Sequence, residues 1–286
     1  MHYSVLLNEC LEYLAVKPEG VYIDATCGLA GHTRAIAGRL STGFVLSSDR
    51  DADSLEMAKR NSEDVADRIR FVHSPFSGLQ QAAAQAGIQQ ADGLLADLGV
   101  SRYQLTDAER GFSLMTDGPV DMRMDRSQET TAGDLVNYSA EKALADLIYQ
   151  KGEERRARQI ARAIVRARPI RSTLHLAQVV ESAAHRTGRL HPATLTFMAL
   201  RLAVNNETDE LDSLLEAAPK LVKSGGRIVI VSFMSLEDRR VKQSFQTLVR
   251  DGKANILTKH VVRPSDLETQ ENPASRSAKL RALEMK

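Results

Sequence analysis

From Val21 to Leu98, short and nearly unbroken apolar runs alternate with helix-like stretches. Val21-Tyr22-Ile23-Asp24, Phe44-Val45-Leu46-Ser47-Ser48-Asp49, Ile69 to Val72 and Gly93-Leu94-Leu95-Ala96-Asp97 read as four strands. Thr33 to Leu40, Ala52 to Asn61 and an alanine- and glutamine-rich segment read as the helices between them. Strands covered by helices on both faces lose the polar alternation of a half-wet sheet, so the pattern predicts a doubly wound, mostly parallel α/β sheet.

The character changes after Gly99. Ser101 to Asp125 is rich in turn formers and charges and reads as a functional loop. Ala140 to Tyr149, Glu153 to Ala167, Thr173 to His185 and Pro192 to Val204 then read as successive helices with no competing strand. Beyond an amphipathic stretch from Glu207 to Leu221, the turn Lys223-Ser224-Gly225-Gly226-Arg227 feeds the apolar run Ile228 to Phe233, so the sheet resumes. One discontinuous domain (1–105 and 205–286) interrupted by a helical insert (106–204) is the expected organisation.

A length of 286 residues accommodates that arrangement. No apolar run approaches the roughly 18 residues of a membrane span, and the start lacks the basic and apolar regions of a secretory signal, so a cytoplasmic protein with no membrane partner is expected. Cys10 and Cys27 stand in no metal-ligand or disulfide spacing, and no metal site is expected. A net charge of +1 excludes a protein that coats nucleic acid over its whole surface but permits one concentrated basic patch.

Ligands of open α/β sheets sit outside the carboxyl ends of the strands. The first strand ends in Asp24 and enters a turn where Gly28 and Gly31 let the backbone approach a ligand without a Cβ clash. Asp49, after the second, is placed to accept hydrogen bonds from ribose hydroxyls. Phe76, after the third, suits an adenine face, and Asp97 ends the fourth. A dinucleotide enzyme would favour G-x-G-x-x-G to seat its pyrophosphate, and this turn lacks it. S-adenosylmethionine, which carries no phosphate and is cationic at its sulfonium and ammonium, suits these acids better. The same residues taken singly also suit a plain strand-helix turn, a helix cap and core packing.

The segments Asp97 to Ser101 with Gln104-Leu105, Asp107 to Ser113, Asp117 to Asp125, Gly152 to Arg155, His191 to Thr194, Asn205 to Glu207, Ser235 to Arg239 and Ser275 to Arg281, with Tyr3 to Glu9 near the start, are more specific. In this order they resemble the small-subunit ribosomal RNA methyltransferase H family, also called MraW, over nearly the whole chain. The resemblance implies a class I, Rossmann-like S-adenosylmethionine methyltransferase fold carrying a helical insert. It implies N4-methylation of a cytosine in the decoding region of 16S ribosomal RNA, with the small ribosomal subunit as partner. It also implies cofactor contacts at Ala30, Gly31, His32, Asp49, Phe76, Asp97 and Gln104. The family usually has glycine at Ala30, histidine at Met234 and Ser-Pro at Arg102-Tyr103.

Asp97 is the candidate catalytic residue, orienting the cofactor or accepting from the target amine. Arg158, Arg162 and Arg166 recur at helical i, i+4 spacing opposite Ile160 and Ile164, a face suited either to RNA phosphates or to solvent. His191 is a further candidate for the RNA side, and Asp121, Arg123 and Asp125 either border the substrate cleft or form an ion-pair network that fixes the insert. The glycine pattern disfavours a nicotinamide oxidoreductase. A non-catalytic ribosomal RNA-binding or assembly factor is the other alternative, for which Ala30 and Met234 speak.

Overall fold

The computed structural model describes residues 4–184 and 191–286. Tyr3, His2 and His185, the expected end of one helix, lie outside the described residues. Packing divides the chain into two units, Met1–Gly99 with Asp209–Lys286, and Val100–Thr208. Val100–Leu105 and Asn205–Thr208, which the sequence pattern assigned to the sheet, pack with the helices instead.

The first unit begins with α1 (Leu7–Leu14), β1 (Val21–Asp24), α2 (Gly31–Ala37), β2 (Phe44–Asp49), α3 (Ala52–Asn61), β3 (Ile69–His73), α4 (Leu79–Gln85) and β4 (Ala91–Asp97). The second holds α5 (Arg102–Thr106), α6 (Ala132–Tyr138), α7 (Glu141–Gly152), α8 (Ala157–Arg166), α9 (Thr173–Ala183) and α10 (Thr194–Val204). Then α11 (Glu207–Leu221) leads back to β5 (Val222–Ser232), α12 (Ser235–Arg250), β6 (Ala254–Ile256), α13 (Asp266–Glu271) and β7 (Lys279–Met285).

The sheet order is β3-β2-β1-β4-β5-β7-β6, with β1 to β5 parallel and β7 antiparallel to both neighbours. The unbroken apolar runs follow from burial on both faces. Ile228 and Ile230 of β5 join Leu94 of β4, α4, α11 and α12 in one core, while Val229 and Val231 join Leu95, α1 and α2 in the other. Successive strand residues point to opposite faces, so both sets must be apolar. The order reverses at β1 and β4, which places the ends of those two strands, Asp24 and Asp97, at the switch point where such sheets bind ligands.

Several elements differ from the sequence pattern. The turn over Lys223 to Arg227 lies inside β5 as an irregularity of register, with Gly225 at φ +73°. No strand was expected beyond Phe233, yet β7 alternates Leu280 and Ala282 toward one core with Leu283 and Met285 toward the other. The loop expected from Ser101 contains α5. The helix expected from Glu153 starts only at Ala157, because α7 continues to Gly152 and Glu153 closes it in the left-handed conformation (φ +53°). Gly152 is required there, since a Cβ would stand 2.6 Å from the Leu195 carbonyl oxygen of α10.

In the helical unit, Asn205 is fully buried. It donates to the Met122 carbonyl (2.7 Å) and accepts from the Met124 N–H (2.7 Å). Arg110, 1% exposed, donates to the carbonyls of Arg123 and Met124, both at 3.0 Å. Arg123 grips Asp121 with two parallel hydrogen bonds (2.7 and 2.8 Å). Burial pushes the Asp121 carboxyl up, but the guanidinium outweighs it and holds the group below the ordinary range. These groups fasten the 110–131 segment within the unit. Among the described residues no helix is long and apolar enough to cross a membrane.

Candidate functional site

Asp24 is fully buried at the end of β1, and its carboxylate is occupied from within. The Thr33 hydroxyl donates to Oδ2 (2.6 Å), and the Thr26 N–H (3.1 Å) and hydroxyl (3.4 Å) donate to Oδ1. Burial pushes its pKa up, against the pull of His32 and Thr33. Asp24 thus shapes the loop and is linked to Asp97 through Thr26, whose hydroxyl oxygen also accepts the Asp97 N–H (2.6 Å).

Asp97 is the least compensated group of this set. Its Oδ1 is buried with no hydrogen-bond partner among the described residues. Its Oδ2 stands 3.8 Å from His32 Nδ1. Burial, reinforced by the carboxylates of Asp24, Glu237 and Glu268, holds its pKa well above the ordinary carboxylate range. The other ring nitrogen of His32 lies 3.1 Å from the Val5 carbonyl oxygen. A carbonyl can only accept, so Nε2 carries a proton and donates it to Val5.

Asp49 caps the loop from β2. Oδ2 accepts the Gly28 N–H (2.7 Å) and Oδ1 the Asp51 N–H (2.9 Å). A carboxylate offers about four acceptor positions, so each oxygen keeps one for a ligand hydroxyl. Burial raises this group to about 6, against those two backbone N–H groups. Gly28 is left-handed (φ +51°), with open space where a side chain would stand. At Gly31 a Cβ would lie 1.9 Å from the Ser4 hydroxyl, so a side chain there would require Ser4 to turn away. Phe76 follows β3, half-buried against the sheet core.

Ala30 is left-handed too (φ +69°), a conformation that costs an L-residue about 1–2 kcal/mol. Its methyl is fully buried with Cys27, Leu55 and Ala58, which returns about 0.8 kcal/mol, and alanine restricts the unfolded chain by about another 0.4–1 kcal/mol. These terms cancel, so Ala30→Gly is expected to change stability by less than about 1 kcal/mol in denaturant unfolding. A larger change would mean that the methyl has a role outside this core.

Sequence reasoning missed Glu237 and Glu268. Glu237, buried in the first turn of α12, accepts the N–H groups of Phe233 and Met234 through one oxygen, both at 3.0 Å. Glu268 accepts the Leu6 N–H (2.8 Å). The neighbouring Asp238 is gripped by Arg281 of β7 (2.7 and 3.2 Å), which joins the Ser235–Arg239 and Ser275–Arg281 segments. The available signal was an acidic pair opening a helix. Met234 stands at the N-cap of α12.

The remaining candidates lie in the helical unit. Gln104 is buried and forms a capping box with Ser101, accepting the Ser101 N–H (2.9 Å) while its own N–H donates to the Ser101 hydroxyl (3.2 Å). Arg158, Arg162 and Arg166 are exposed on α8 opposite the buried Ile160 and Ile164. His191 accepts the Ala193 N–H through Nδ1 (3.1 Å), with Nε2 4.0 Å from Glu181. Among the described residues no group of three or more His, Cys, Asp or Glu could hold a metal ion.

The MraW methylase family matches residues 1–286. A relative from Solibacter usitatus, named ribosomal RNA small subunit methyltransferase H, is 64% identical over 286 residues, covering all of both chains. One of the same name from Koribacter versatilis is 48% identical over 297 residues, covering 100% of this chain and 94% of its own. A crystal structure from Clostridium thermocellum, provisionally described as an rRNA-methylase, superposes with a TM-score of 0.50 over the whole of both chains at 11% identity, a likeness of fold alone.

Proposed function

The chain belongs to the MraW methylase family, and from that premise we propose that it transfers the methyl group of S-adenosylmethionine to N4 of a cytosine in the decoding region of small-subunit ribosomal RNA. The observation that carries the reading is the buried oxygen of Asp97 that has no hydrogen-bond partner among the described residues, set among Asp24, Glu237 and Glu268 at the sheet's switch point. Such a site is short of positive charge and of donors. S-adenosylmethionine fits it, and when bound it supplies an electrophilic methyl on a cationic sulfur.

The chain's own residues then bind and orient. Asp49 offers its two spare acceptor positions to the ribose hydroxyls. Phe76 presents a ring to the adenine, and Asp97, with Asp24 behind Thr26, balances the ligand's positive charge. The target amine is a weak nucleophile because its lone pair is delocalised into the ring, so holding it in line is the main catalytic task. Asp97 orients the cofactor or accepts an N–H of that amine. The base must also leave its stack, which calls for a basic surface that holds the backbone. We assign that surface to Arg158, Arg162 and Arg166 of the helical unit, with His191 as a further contact.

The test is transfer of labelled methyl from S-adenosylmethionine to small ribosomal subunits of a strain lacking this protein, followed by nucleoside analysis. N4-methylated cytidine is expected. A different methylated nucleoside would overturn the cytosine assignment, and cofactor binding without transfer would favour a non-catalytic assembly factor.

Cofactor affinity should depend on pH with a definite sign. The ribose hydroxyls donate more strongly to ionised Asp49 than to its acid form, so binding releases a proton from the protonated fraction. Affinity is therefore expected to be level above a pH of about 6 and to fall by up to roughly tenfold per pH unit below it. Calorimetric titration in buffers of different ionisation enthalpy reads this release, and affinity that is flat from pH 5 to 8 would remove Asp49 from the binding site. On the RNA side, Arg162→Glu is expected to weaken binding and lower the salt slope by about one. Unchanged values would take α8 out of the interface.

A further inference from the structure

We propose that Tyr138 is a stacking platform for an unpaired RNA base, set beside the arginine face of α8, an inference that rests on the RNA-binding reading of the helical unit. Tyr138 ends α6 and is 82% exposed, whereas the same helix buries Ala132 and Val136. An aromatic ring left in water at that position is not explained by packing. The backbone beneath it is held firmly on both sides. Asn137 donates to the Ile170 carbonyl (3.1 Å) and accepts the Ile170 N–H (2.7 Å). The Ser139 carbonyl accepts from Arg168 (2.6 Å), which also donates to the Val136 carbonyl (2.7 Å). Glu141, two residues beyond Ser139, lies 3.6 Å from Arg162 Nε. The ring is thus displayed at a place bracketed by contacts to residues 162, 168 and 170.

The surroundings select the partner. Residues 155–171 contain seven arginines and no acid, and Arg158, Arg162 and Arg166 are exposed. An aromatic face beside a basic strip is how proteins hold a single strand without reading its sequence: cations follow the phosphates and the ring takes a base. A duplex keeps its bases stacked on one another and has none to offer. A single-stranded or loop segment has, and a target base in such a segment is the one whose amine an enzyme can reach.

The chain contains no tryptophan, so Tyr138→Trp introduces a single reporter. With a fluorescein-labelled single-stranded RNA 12-mer and a duplex of equal length as probes, the single strand is expected to quench the Tyr138→Trp emission and the duplex is not. Tyr138→Ala is expected to weaken single-strand binding about tenfold with an unchanged salt slope, and Tyr138→Phe to bind as the parent does. The ring is exposed, so unchanged thermal unfolding of each variant verifies the fold. Equal single-strand affinity of Tyr138→Ala and the parent would overturn the proposal, and if methylation of subunits persisted in that variant, the assigned reaction would stand without it. Equal losses in Tyr138→Ala and Tyr138→Phe would also overturn it, since the hydroxyl rather than the face would then be the contact. A Tyr138 effect confined to assembled subunits, with none on the RNA probes, would assign the ring to a protein partner and overturn it as well.

Discussion

Asp97→Asn is expected to lower methyl transfer by roughly a hundredfold or more while leaving the folded protein more stable toward neutral and alkaline pH. The two effects have one cause. The Asp97 carboxyl is buried, faces Asp24, Glu237 and Glu268, and has a pKa well above the ordinary range. A carboxyl whose folded pKa is raised costs no stability below its unfolded value, and the cost grows as pH rises, becoming complete above the folded pKa. An amide of the same shape removes that cost. It also removes the negative charge that balances the cofactor and replaces one of the two acceptor oxygens of the carboxylate by an NH2 donor. Thermal unfolding of the ligand-free variant across pH, set beside single-turnover transfer and cofactor affinity, checks both arms. Full turnover with full affinity would show that Asp97 has neither role. A stability loss at neutral pH would mean that the carboxylate is structural.

Gly111→Ala should be the most damaging of the small substitutions in the helical unit, at about 3 kcal/mol or more. Gly111 is left-handed (φ +69°), which costs alanine about 1–2 kcal/mol. Its Cβ would also meet backbone rather than a yielding side chain, 2.1 Å from the Pro119 carbonyl oxygen and 2.7 Å from the Asp121 nitrogen. Overpacking of this kind adds about 1–3 kcal/mol. Gly87→Ala is the control. Its φ is +76° with nothing within 4 Å, so only the backbone cost applies. Denaturant unfolding of both variants separates conformation from contact, and equal losses would refute the close approach at Gly111. Because Asp121 and Arg123 lie on the same segment, Gly111→Ala is also expected to loosen the network that Asn205 and Arg110 hold.

The arginine face shows how far residue spacing reaches. Arg158, Arg162 and Arg166 share one side of α8 because four residues make slightly more than a helical turn, and Ile160 and Ile164 are buried on the other. That much was legible. The start of α8 was not, because Glu153 and Glu154 have no helix-breaking chemistry of their own. The break lies at Glu153, which closes α7 in the left-handed conformation, next to Gly152, where the Leu195 carbonyl of α10 leaves no room for a side chain. Asp121 and Arg123 left two readings open in the sequence, and the partners seen in the structure are those of an ion-pair network within the helical unit. Whether Ala30 could stand where glycine is usual turned on its φ, which is positive, and on the buried methyl that compensates for it.

By itself the sequence determined the α/β class, the four strand ends that carry Asp24, Asp49, Phe76 and Asp97, the return of the sheet after the helices, and the family. The family follows from the resemblance of its ordered segments, and the others from periodicity and from residues close together along the chain, where spacing translates directly into a face or an end. Only the tertiary structure decided that Asp24 spends its oxygens inside the loop, that Glu237 and Glu268 press on Asp97, that Asp238 pairs with Arg281, and that β7 enters the sheet antiparallel. Each of these depends on groups distant in sequence. Electrostatic interaction and desolvation scale with distance in space and with exclusion of water, and neither quantity exists until the chain has folded.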